Sequence, residues 1–342
     1  MSARSNSRKM LFRGIAVLLA IIVALAAGEI LARLFWKGKP AFVTDERNLT
    51  YRYDAELGWF PIPDSTNRFK GDHVFTIRHN HDGFRDEPHG PKVKKRIAFV
   101  GDSYVWGYDA EQEELFTGKL QARLPGWEIL NLGVSGYATD QELLLLQRWF
   151  DRYQPDVVVL VFSDNDVEEN GLNVVHGGYY KPYFELVEGE PVEKGVPVPK
   201  CIHYYRTEHP LLFNSALAQL LTTWYLARTA PAKRPAPNPT LPLVAQMRTY
   251  VQSKGAKFIL AFCTDIEGQK KRAFVQAYHF DALFLLEGPT VNWDYMYNTG
   301  GHHWTPRGHD LVASNLYDFL TTNQFLATEK PPAPVVASPH PN

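Results

Sequence analysis

The 342-residue sequence has few cysteines and no excess of charge of either sign. Its two cysteines, Cys201 and Cys263, exclude a scaffold built on several disulfide bonds. The 36 basic and 37 acidic residues leave a formal net charge of −1, which excludes a nucleic-acid-binding protein that works by bulk positive charge. The composition is globular rather than disordered, because 45% of the residues are hydrophobic and 21% are charged.

A long apolar run stands at the N-terminus. Basic residues precede residues 14–28 (GIAVLLAIIVALAAG), which is the pattern of a secretory signal or a signal anchor. The run continues past Glu29 and Arg33, whose i,i+4 spacing lets them pair, so the sequence predicts one transmembrane helix over residues 12–36. Ala24-Leu25-Ala26 fits a signal-peptidase site, so a cleaved signal peptide is the alternative. The short, acid-free N-terminus favours an extracytoplasmic body, in a bacterial periplasm or at the cell surface.

The rest of the chain alternates between apolar runs and helical patterns. The run PDVVVLVFSDND is rich in β-branched residues and predicts a central strand. Alternating strands and helices predict an α/β domain with three layers, α/β/α, around a mostly parallel sheet. Ligands of such sheets bind beyond the carboxyl ends of the strands. The predicted strands are residues 96–101, 127–136, 155–166, 256–265 and 280–288, and the predicted helices are residues 113–123, 140–153, 243–254, 269–277 and 306–325.

These patterns divide the chain into four segments. The insertion in the main domain directly follows the carboxyl end of a strand, so it is either a lid over the site or an inert surface excursion. The segments are an N-terminal anchor (1–40), an extended arm packing on the main domain (41–95), the main domain (96–327) with its insertion (167–240), and a Pro-rich disordered tail (328–342).

The insertion carries aromatic residues and one of the two cysteines. The aromatic side chains either stack on sugar rings or form a small core within the insertion. Cys201 and Cys263 either bridge the insertion to a core strand or, as the apolar context ILAFCTD favours for Cys263, remain buried thiols. The aromatic residues are Tyr179, Tyr180, Tyr183, Phe184, Tyr204 and Tyr205.

Four short motifs lie where the predicted strands end or where the last helix begins. Ser103 in GDSYVWG opens a helix after the first strand, and glycines 133 and 136 in NLGVSGY let the backbone approach a ligand closely. The amide of Asn165 in SDND can donate a hydrogen bond to an oxyanion, and His303 before a Pro-initiated helix can serve as a general base. Each motif taken singly is also an ordinary cap or turn.

Three histidines near the C-terminus raise the question of a metal site. His302, His303 and His309 lie within eight residues, but no acidic or cysteine ligand set accompanies them. We therefore predict no metal and no cofactor. His309 lies within the last predicted helix, where we expect a structural role.

In this order, the four motifs resemble the SGNH/GDSL hydrolase family, in a membrane-anchored bacterial type. The resemblance covers about residues 96–325. It implies an SGNH or flavodoxin-like fold and a serine ester hydrolase, with Ser103 as the nucleophile and His303 as the base. It also implies an oxyanion hole made of Ser103, Gly136 and Asn165, in which Gly133 is the alternative to Gly136.

The sequence departs from the family pattern at two places. Ser163 stands where the family has a glycine before Asn165. The family's aspartate shortly before the histidine is also missing, because Gly300 and Gly301 occupy those positions. A backbone carbonyl or a distant acid, with Asp294 as the candidate, would then orient the histidine. A Ser-His dyad remains a workable catalyst, since the acid does not itself attack. A slow enzyme is the alternative.

The resemblance and the N-terminal helix together imply a function. We expect a serine esterase or acylhydrolase that removes an acyl or acetyl group from a carbohydrate or lipid ester outside the cytoplasm. Two alternatives stay open, an O-acyltransferase that modifies an exported polysaccharide and a non-catalytic, membrane-anchored glycan-binding module. The expected partners are an ester substrate and the membrane, and no nucleic acid.

Overall fold

The computed structural model describes most of the chain and leaves short segments undescribed. The predicted tail, the two glycines before His303 and His302 itself lie outside the described residues. The described residues are 2–38, 46–229, 238–264, 267–287, 294–297 and 303–326.

The N-terminal segment is one continuous helix, α1 (Ser2–Phe35). Its portion Lys9–Phe35 is long and apolar enough to cross a membrane, and its side chains are almost entirely exposed. A signal sequence near the N-terminus meets the same criteria of length and apolar composition. The predicted pairing is confirmed, since Arg33 Nε lies 2.6 Å from Glu29 Oε1.

Residues 46–94 form short elements that pack on the main domain. The elements are α2 (Arg47–Thr50) and two antiparallel hairpins, β1 (Tyr51–Asp54) with β2 (Gly58–Pro61) and β3 (Thr66–Lys70) with β4 (Val74–Arg78). Trp59 and Phe75 are fully buried in the same hydrophobic cluster as the main sheet. Trp59 Nε1 also donates a hydrogen bond to the Ser135 carbonyl at 3.2 Å. These contacts fix the arm beside the loop that carries the predicted oxyanion glycine.

The remaining elements follow the predicted alternation of strands and helices. In chain order they are β5 (Lys95–Gly101), α3 (Ser103–Trp106), α4 (Phe116–Arg123), β6 (Trp127–Asn131), α5 (Thr139–Tyr153), β7 (Val157–Phe162), α6 (Asp166–Glu169), β8 (Val174–Val175), β9 (Tyr179–Tyr180), β10 (Tyr183–Val187), β11 (Glu190–Lys194), α7 (Ile202–Glu208), α8 (Ala216–Thr229), α9 (Thr240–Ser253), β12 (Lys257–Phe262), α10 (Gly268–Tyr278), β13 (Ala282–Phe284) and α11 (Pro306–Thr322).

Five of these strands form a central parallel sheet in the order β13-β12-β7-β5-β6. Every residue of β7 is buried, as expected for a central strand covered on both faces. Gly101 pairs with Val161, and Phe99 pairs with Asn131. The carboxyl ends of β5, β6 and β7 therefore lie side by side, which brings the predicted site residues to one edge.

The sheet is covered by helices on both faces. Alternate residues of β5 point to opposite sides, with Ala98 and Val100 in one hydrophobic cluster and Ile97 and Phe99 in the other. Helices α5 and α9 pack in the first cluster, and α4 and α11 pack in the second. The predicted three-layer α/β/α fold with a mostly parallel sheet is confirmed.

The insertion forms small hairpins and two helices. Strands β10 and β11 pair through the turn at Glu188 and Gly189 that the sequence predicts. Three of the six aromatic residues are buried in the insertion, namely Tyr179, Phe184 and Tyr204, which supports the core interpretation for those three. Both cysteines are buried free thiols in the structure.

Candidate active site

Ser103 is held at the carboxyl edge of the sheet by the turn that links β5 to α3. Asp102 caps α3, and its carboxylate accepts a hydrogen bond from the Tyr104 amide at 2.9 Å. The serine is the first residue of the helix and is half-buried. The Asp102 carboxylate also accepts a 2.7 Å hydrogen bond from the Ser163 hydroxyl, so the end of β5 is tied to the end of β7.

His303 reaches Ser103 across 200 residues of sequence. Its Nε2 lies 2.8 Å from the Ser103 hydroxyl oxygen, and only 8% of the residue is exposed. The imidazole stacks on the Tyr108 ring, with centroids 4.5 Å apart. Its carbonyl accepts a hydrogen bond from the Tyr297 amide at 2.8 Å. The histidine is therefore fixed by its ring and its backbone, in place to exchange a proton with the serine.

Gly133 and Gly136, which follow β6, have different structural roles. Gly133 packs on α3, because a Cβ there would come within 2.3 Å of the Trp106 amide nitrogen. The Gly133 N–H donates a hydrogen bond to the Asn131 side-chain oxygen at 3.0 Å, so this N–H is already engaged within the loop. Gly136 has a φ of +77°, a left-handed conformation that favours glycine. Of the two candidates, the geometry favours Gly136 as the oxyanion donor.

Two residues that the sequence analysis missed flank Gly136. A Cβ on that glycine would lie 2.5 Å from Arg47 Nη1 and 2.9 Å from His176 Nε2. Arg47 comes from the arm and His176 from the insertion, and His176 Nε2 lies 3.0 Å from the Gly136 carbonyl oxygen. No sequence motif marks either residue, because both reach the site through tertiary packing.

Asn165 lies at the end of β7, where its side-chain carbonyl oxygen is 2.6 Å from the Ser163 hydroxyl oxygen. The same hydroxyl oxygen lies 2.7 Å from Asp102 Oδ2 and 3.2 Å from Asp166 Oδ1. The single hydroxyl proton of Ser163 can be donated to only one of these three neighbours at a time. The serine that replaces the family's glycine thus sets the orientation of the Asn165 amide.

With this geometry in place, the comparison with known families decides the identity of the fold. Residues 99–311 match the model of the GDSL-like lipase/acylhydrolase family. The chain belongs to this family. It is a serine ester hydrolase, as the four motifs imply. No curated protein matches the chain at a significant level.

Solved structures of similar fold include several esterases, all distant in sequence. A member of the lipolytic G-D-S-L family from Veillonella parvula is 12% identical, covering 67% of this chain and 99% of that one, with a TM-score of 0.39. The psychrotrophic esterase EstA from Pseudoalteromonas is 14% identical, covering 68% and 100%, with a TM-score of 0.38. A two-domain esterase active on acetylated mannans is 14% identical, covering 71% and 53%, also at 0.38. TM-scores this low carry no further argument.

A layer of buried acids lies beneath the oxyanion side of this acylhydrolase. Burial raises the pKa of Asp102 and that of Asp140 to about 6, and it raises the pKa values of Glu142 and Asp166 well above their ordinary range. Lys181 pairs with Asp140. In the described structure neither carboxylate oxygen of Glu142 has a hydrogen-bond partner. A pKa of about 6 leaves Asp102 and Asp140 mostly ionised at pH 7, whereas Glu142 and Asp166 keep their protons to a higher pH than exposed carboxyl groups do.

The remaining histidine and the candidate orienting acid lie in contrasting surroundings, one buried and the other exposed. His309 is buried in α11, where its Nδ1 accepts a hydrogen bond from the Phe116 amide at 3.3 Å and burial lowers its pKa to about 3. The Asp294 carboxylate lies 3.1 Å from Arg307 and its side chain is 62% exposed, and its part in orienting His303 stays a prediction. In the described parts of the chain, no group of three or more His, Cys, Asp or Glu residues could hold a metal ion.

Proposed function

We propose that this acylhydrolase uses Ser103 as its nucleophile and His303 as its general base and acid. The observation that carries the proposal is the 2.8 Å contact between Ser103 Oγ and His303 Nε2. A serine hydroxyl is a weak nucleophile until an adjacent base removes its proton. His303 is the base within hydrogen-bond distance, and its burial against Tyr108 keeps the imidazole in one orientation.

The reaction then proceeds in two acyl-transfer steps. Ser103 Oγ attacks the ester carbonyl carbon while His303 Nε2 takes the hydroxyl proton. The bond to the leaving alcohol breaks, and His303 returns the proton to that oxygen, which leaves an acyl-serine. Water attacks the acyl-serine in the same way and releases the acid and the free enzyme.

The oxyanion of each tetrahedral intermediate needs hydrogen-bond donors. We assign the Ser103 N–H, the Gly136 N–H and the Asn165 amide to this role. Their support is their common position at the carboxyl ends of β5, β6 and β7, together with the Ser163 hydrogen bond that fixes the amide of Asn165. Donors held in place before the reaction lower the barrier without having to reorganise.

For the substrate, we propose an acyl ester of a carbohydrate or a lipid outside the cytoplasm. A largely apolar cavity of about 350 Å³ lies at the carboxyl ends of β7 and β12, with Asp164 and Val167 in its lining. It is lined by Phe162, Val167, Val244 and Phe262. An acetyl group would leave most of this volume empty, so the cavity supports a longer acyl chain. The location rests on the apolar portion of α1 and on the basic, acid-free residues at the start of the chain.

An O-acyltransferase shares the first step and differs in what releases the acyl-serine. In that reaction a sugar hydroxyl replaces water as the attacking group. The two activities are separated by supplying an acyl ester with and without acceptor sugar, and then measuring whether the acyl group appears on sugar or as free acid. The third alternative, a non-catalytic glycan-binding module, has no support from the family assignment.

The experiment that tests the proposal is hydrolysis of p-nitrophenyl acyl esters by the pure protein and by Ser103→Ala. We expect the variant to lose at least about 10³-fold in kcat. The matched control is Ser253→Ala, which removes an exposed hydroxyl at the end of α9 and should leave the rate unchanged. Unchanged hydrolysis by a folded Ser103→Ala protein would exclude the assignment.

A further inference from the structure

An exposed apolar stripe runs along helix α8 of the insertion. Leu217, Leu221, Trp224 and Tyr225 are spaced i, i+4, i+7 and i+8, so they share one helix face. Leu221, Trp224 and Tyr225 remain 53–56% exposed. A contiguous apolar surface of large side chains is uncommon on a soluble protein unless something covers it.

The turn before α8 extends this surface. Leu211 is 86% exposed and Leu212 is 56% exposed. At the far end of α8, the Arg228 guanidinium lies 3.8 Å from the centroid of the Trp224 ring. The helix thus combines aliphatic side chains with Trp, Tyr and Arg, and Trp and Tyr are the aromatic residues enriched at the membrane–water interface.

Helix α8 is also fastened to α1, the helix that would cross the membrane. The Glu29 carboxylate accepts hydrogen bonds from the Ser215 hydroxyl at 2.7 Å, from the Ala216 amide at 3.0 Å and from the Leu217 amide at 2.9 Å. A residue of α1 therefore caps the N-terminus of α8. Arg33 adds a 3.1 Å hydrogen bond to the Asn214 carbonyl. These bonds fix where α8 begins along α1.

The position of this junction follows from helix length. Lys9–Phe35 spans 27 residues, which is about 40 Å of helix. The hydrocarbon core of a bilayer is only about 30 Å thick. Glu29 and Arg33 lie in the last turns of the helix, so they fall near the lipid headgroups, followed by Trp36. The start of α8 falls at the same depth.

We propose that α8 lies in the membrane interface with its apolar stripe in lipid, as a second membrane contact beside α1. The inference rests on the proposed membrane anchoring by α1. Lipid is the occupant because the stripe begins where Leu217 meets Gly28 of α1 and so continues the apolar surface that α1 offers to the bilayer. Trp224 and Tyr225 suit the headgroup region, and Arg228 reaches the lipid phosphates.

In this arrangement the insertion serves as a second membrane contact, a role that its position in the sequence does not indicate. The insertion follows β7, whose carboxyl end carries Asn165. Two contacts with the bilayer, one through α1 and one through α8, would hold the hydrolase domain at a fixed height and tilt over the membrane surface. A tether of a single helix would leave the domain free to rotate.

The test places a nitroxide spin label on the full-length protein in liposomes of phosphatidylcholine and phosphatidylglycerol. Labels are introduced by Leu221→Cys in α8, by Leu18→Cys in α1 and by Val93→Cys, whose parent residue is 81% exposed at the end of the arm. The two native cysteines are replaced by alanine, and retained ester hydrolysis shows that each labelled protein is folded. Collisions with oxygen report lipid, and collisions with a water-soluble nickel complex report water.

We expect the labels at positions 18 and 221 to collide with oxygen and the label at position 93 to collide with nickel. The proposal is overturned if position 18 is in lipid while position 221 collides with nickel as often as position 93. It is also overturned by dipolar broadening at position 221, which would mean that a second copy covers the stripe. If position 18 itself is in water, anchoring by α1 fails, and the proposal fails with it.

Discussion

The loop from Ser163 to Asp166 has two sides of opposite character. Toward β5, the Ser163 hydroxyl lies within hydrogen-bond distance of Asp102, Asn165 and Asp166. Toward β12, Asp164 bonds to Thr264 and pairs with Lys271, and beyond them lies the apolar cavity of about 350 Å³. The side toward β5 is occupied by a cluster of hydrogen-bonded groups, whereas the side toward β12 opens into a cavity.

The difference matches two requirements of ester hydrolysis. An oxyanion donor must be held rigidly, since a displaced donor loses most of its effect. An acyl chain needs apolar space and few specific contacts. A single loop can serve both purposes because its successive side chains point to opposite sides. Substitutions on either side should therefore affect different kinetic parameters.

The largest effect is expected on the hydrogen-bonded side. Asn165→Ala removes a proposed oxyanion donor, so kcat should fall by about 10²–10³-fold with little change in KM. The measurement is steady-state hydrolysis of a p-nitrophenyl ester. Asn323→Ala, which removes an exposed amide after α11, is the control. A rise in KM with kcat unchanged would mean that Asn165 binds substrate instead.

A smaller effect is expected on the cavity side. Val167→Trp should fill part of the cavity and lower kcat/KM for octanoyl esters about tenfold, while acetyl ester hydrolysis stays unchanged, because only the longer chain needs the space. Val187→Trp is the control, since both valines are 47% exposed and Val187 lies in β10. Equal losses for acetyl and octanoyl esters would contradict the assignment of the cavity to the acyl chain.

The smallest effect is expected on the free energy of unfolding, through the buried acidic residues beneath the loop from Ser163 to Asp166. Burial and repulsion from Asp166 raise the pKa of Glu142 well above its ordinary 4.5. The folded protein thus binds this proton more tightly than the unfolded chain, and stability falls as pH rises above about 4.5. Glu142→Gln removes that cost and should stabilise the protein by about 1–2 kcal/mol at pH 8, and less at pH 4.5.

The check is thermal unfolding of Glu142→Gln against wild type at both pH values. A gain of 1 kcal/mol corresponds to a rise in Tm of about 2–4 °C for a domain of this size. Glu190→Gln, in the exposed hairpin, is the control and should change little. A variant that is less stable than wild type at pH 8 would show that the Glu142 carboxylate contributes favourably to the fold.

The part of the site that follows from sequence is the part fixed by strand order. Each predicted residue immediately follows a strand or precedes a helix, and parallel strands bring their carboxyl ends to one edge. Strand β7 is recognisable because burial on both faces leaves an uninterrupted run of apolar residues, most of them β-branched. The contact between Ser103 and His303 could therefore be predicted although 200 residues separate them.

The contacts that the sequence does not show depend on tertiary packing between irregular segments. Arg47 and His176 meet at Gly136 because the arm and the insertion both fold over the end of β6. Two of the three contacts of Ser163 are with carboxyl groups, those of Asp102 after β5 and of Asp166 in α6. Helix α8 carries no clear polar face, so its sequence resembles that of a buried helix. Its exposure follows only once the fold is known.

The most direct test of the account is covalent labelling by a fluorophosphonate, which forms a stable phosphonyl ester with an activated serine. Mass spectrometry of the digested protein should find one adduct, on the peptide that carries Ser103, and none in the Ser103→Ala variant. His303→Ala should lower the labelling rate strongly, since the serine loses its base. An adduct on another serine, or ester hydrolysis by wild type without any adduct on Ser103, would contradict the account.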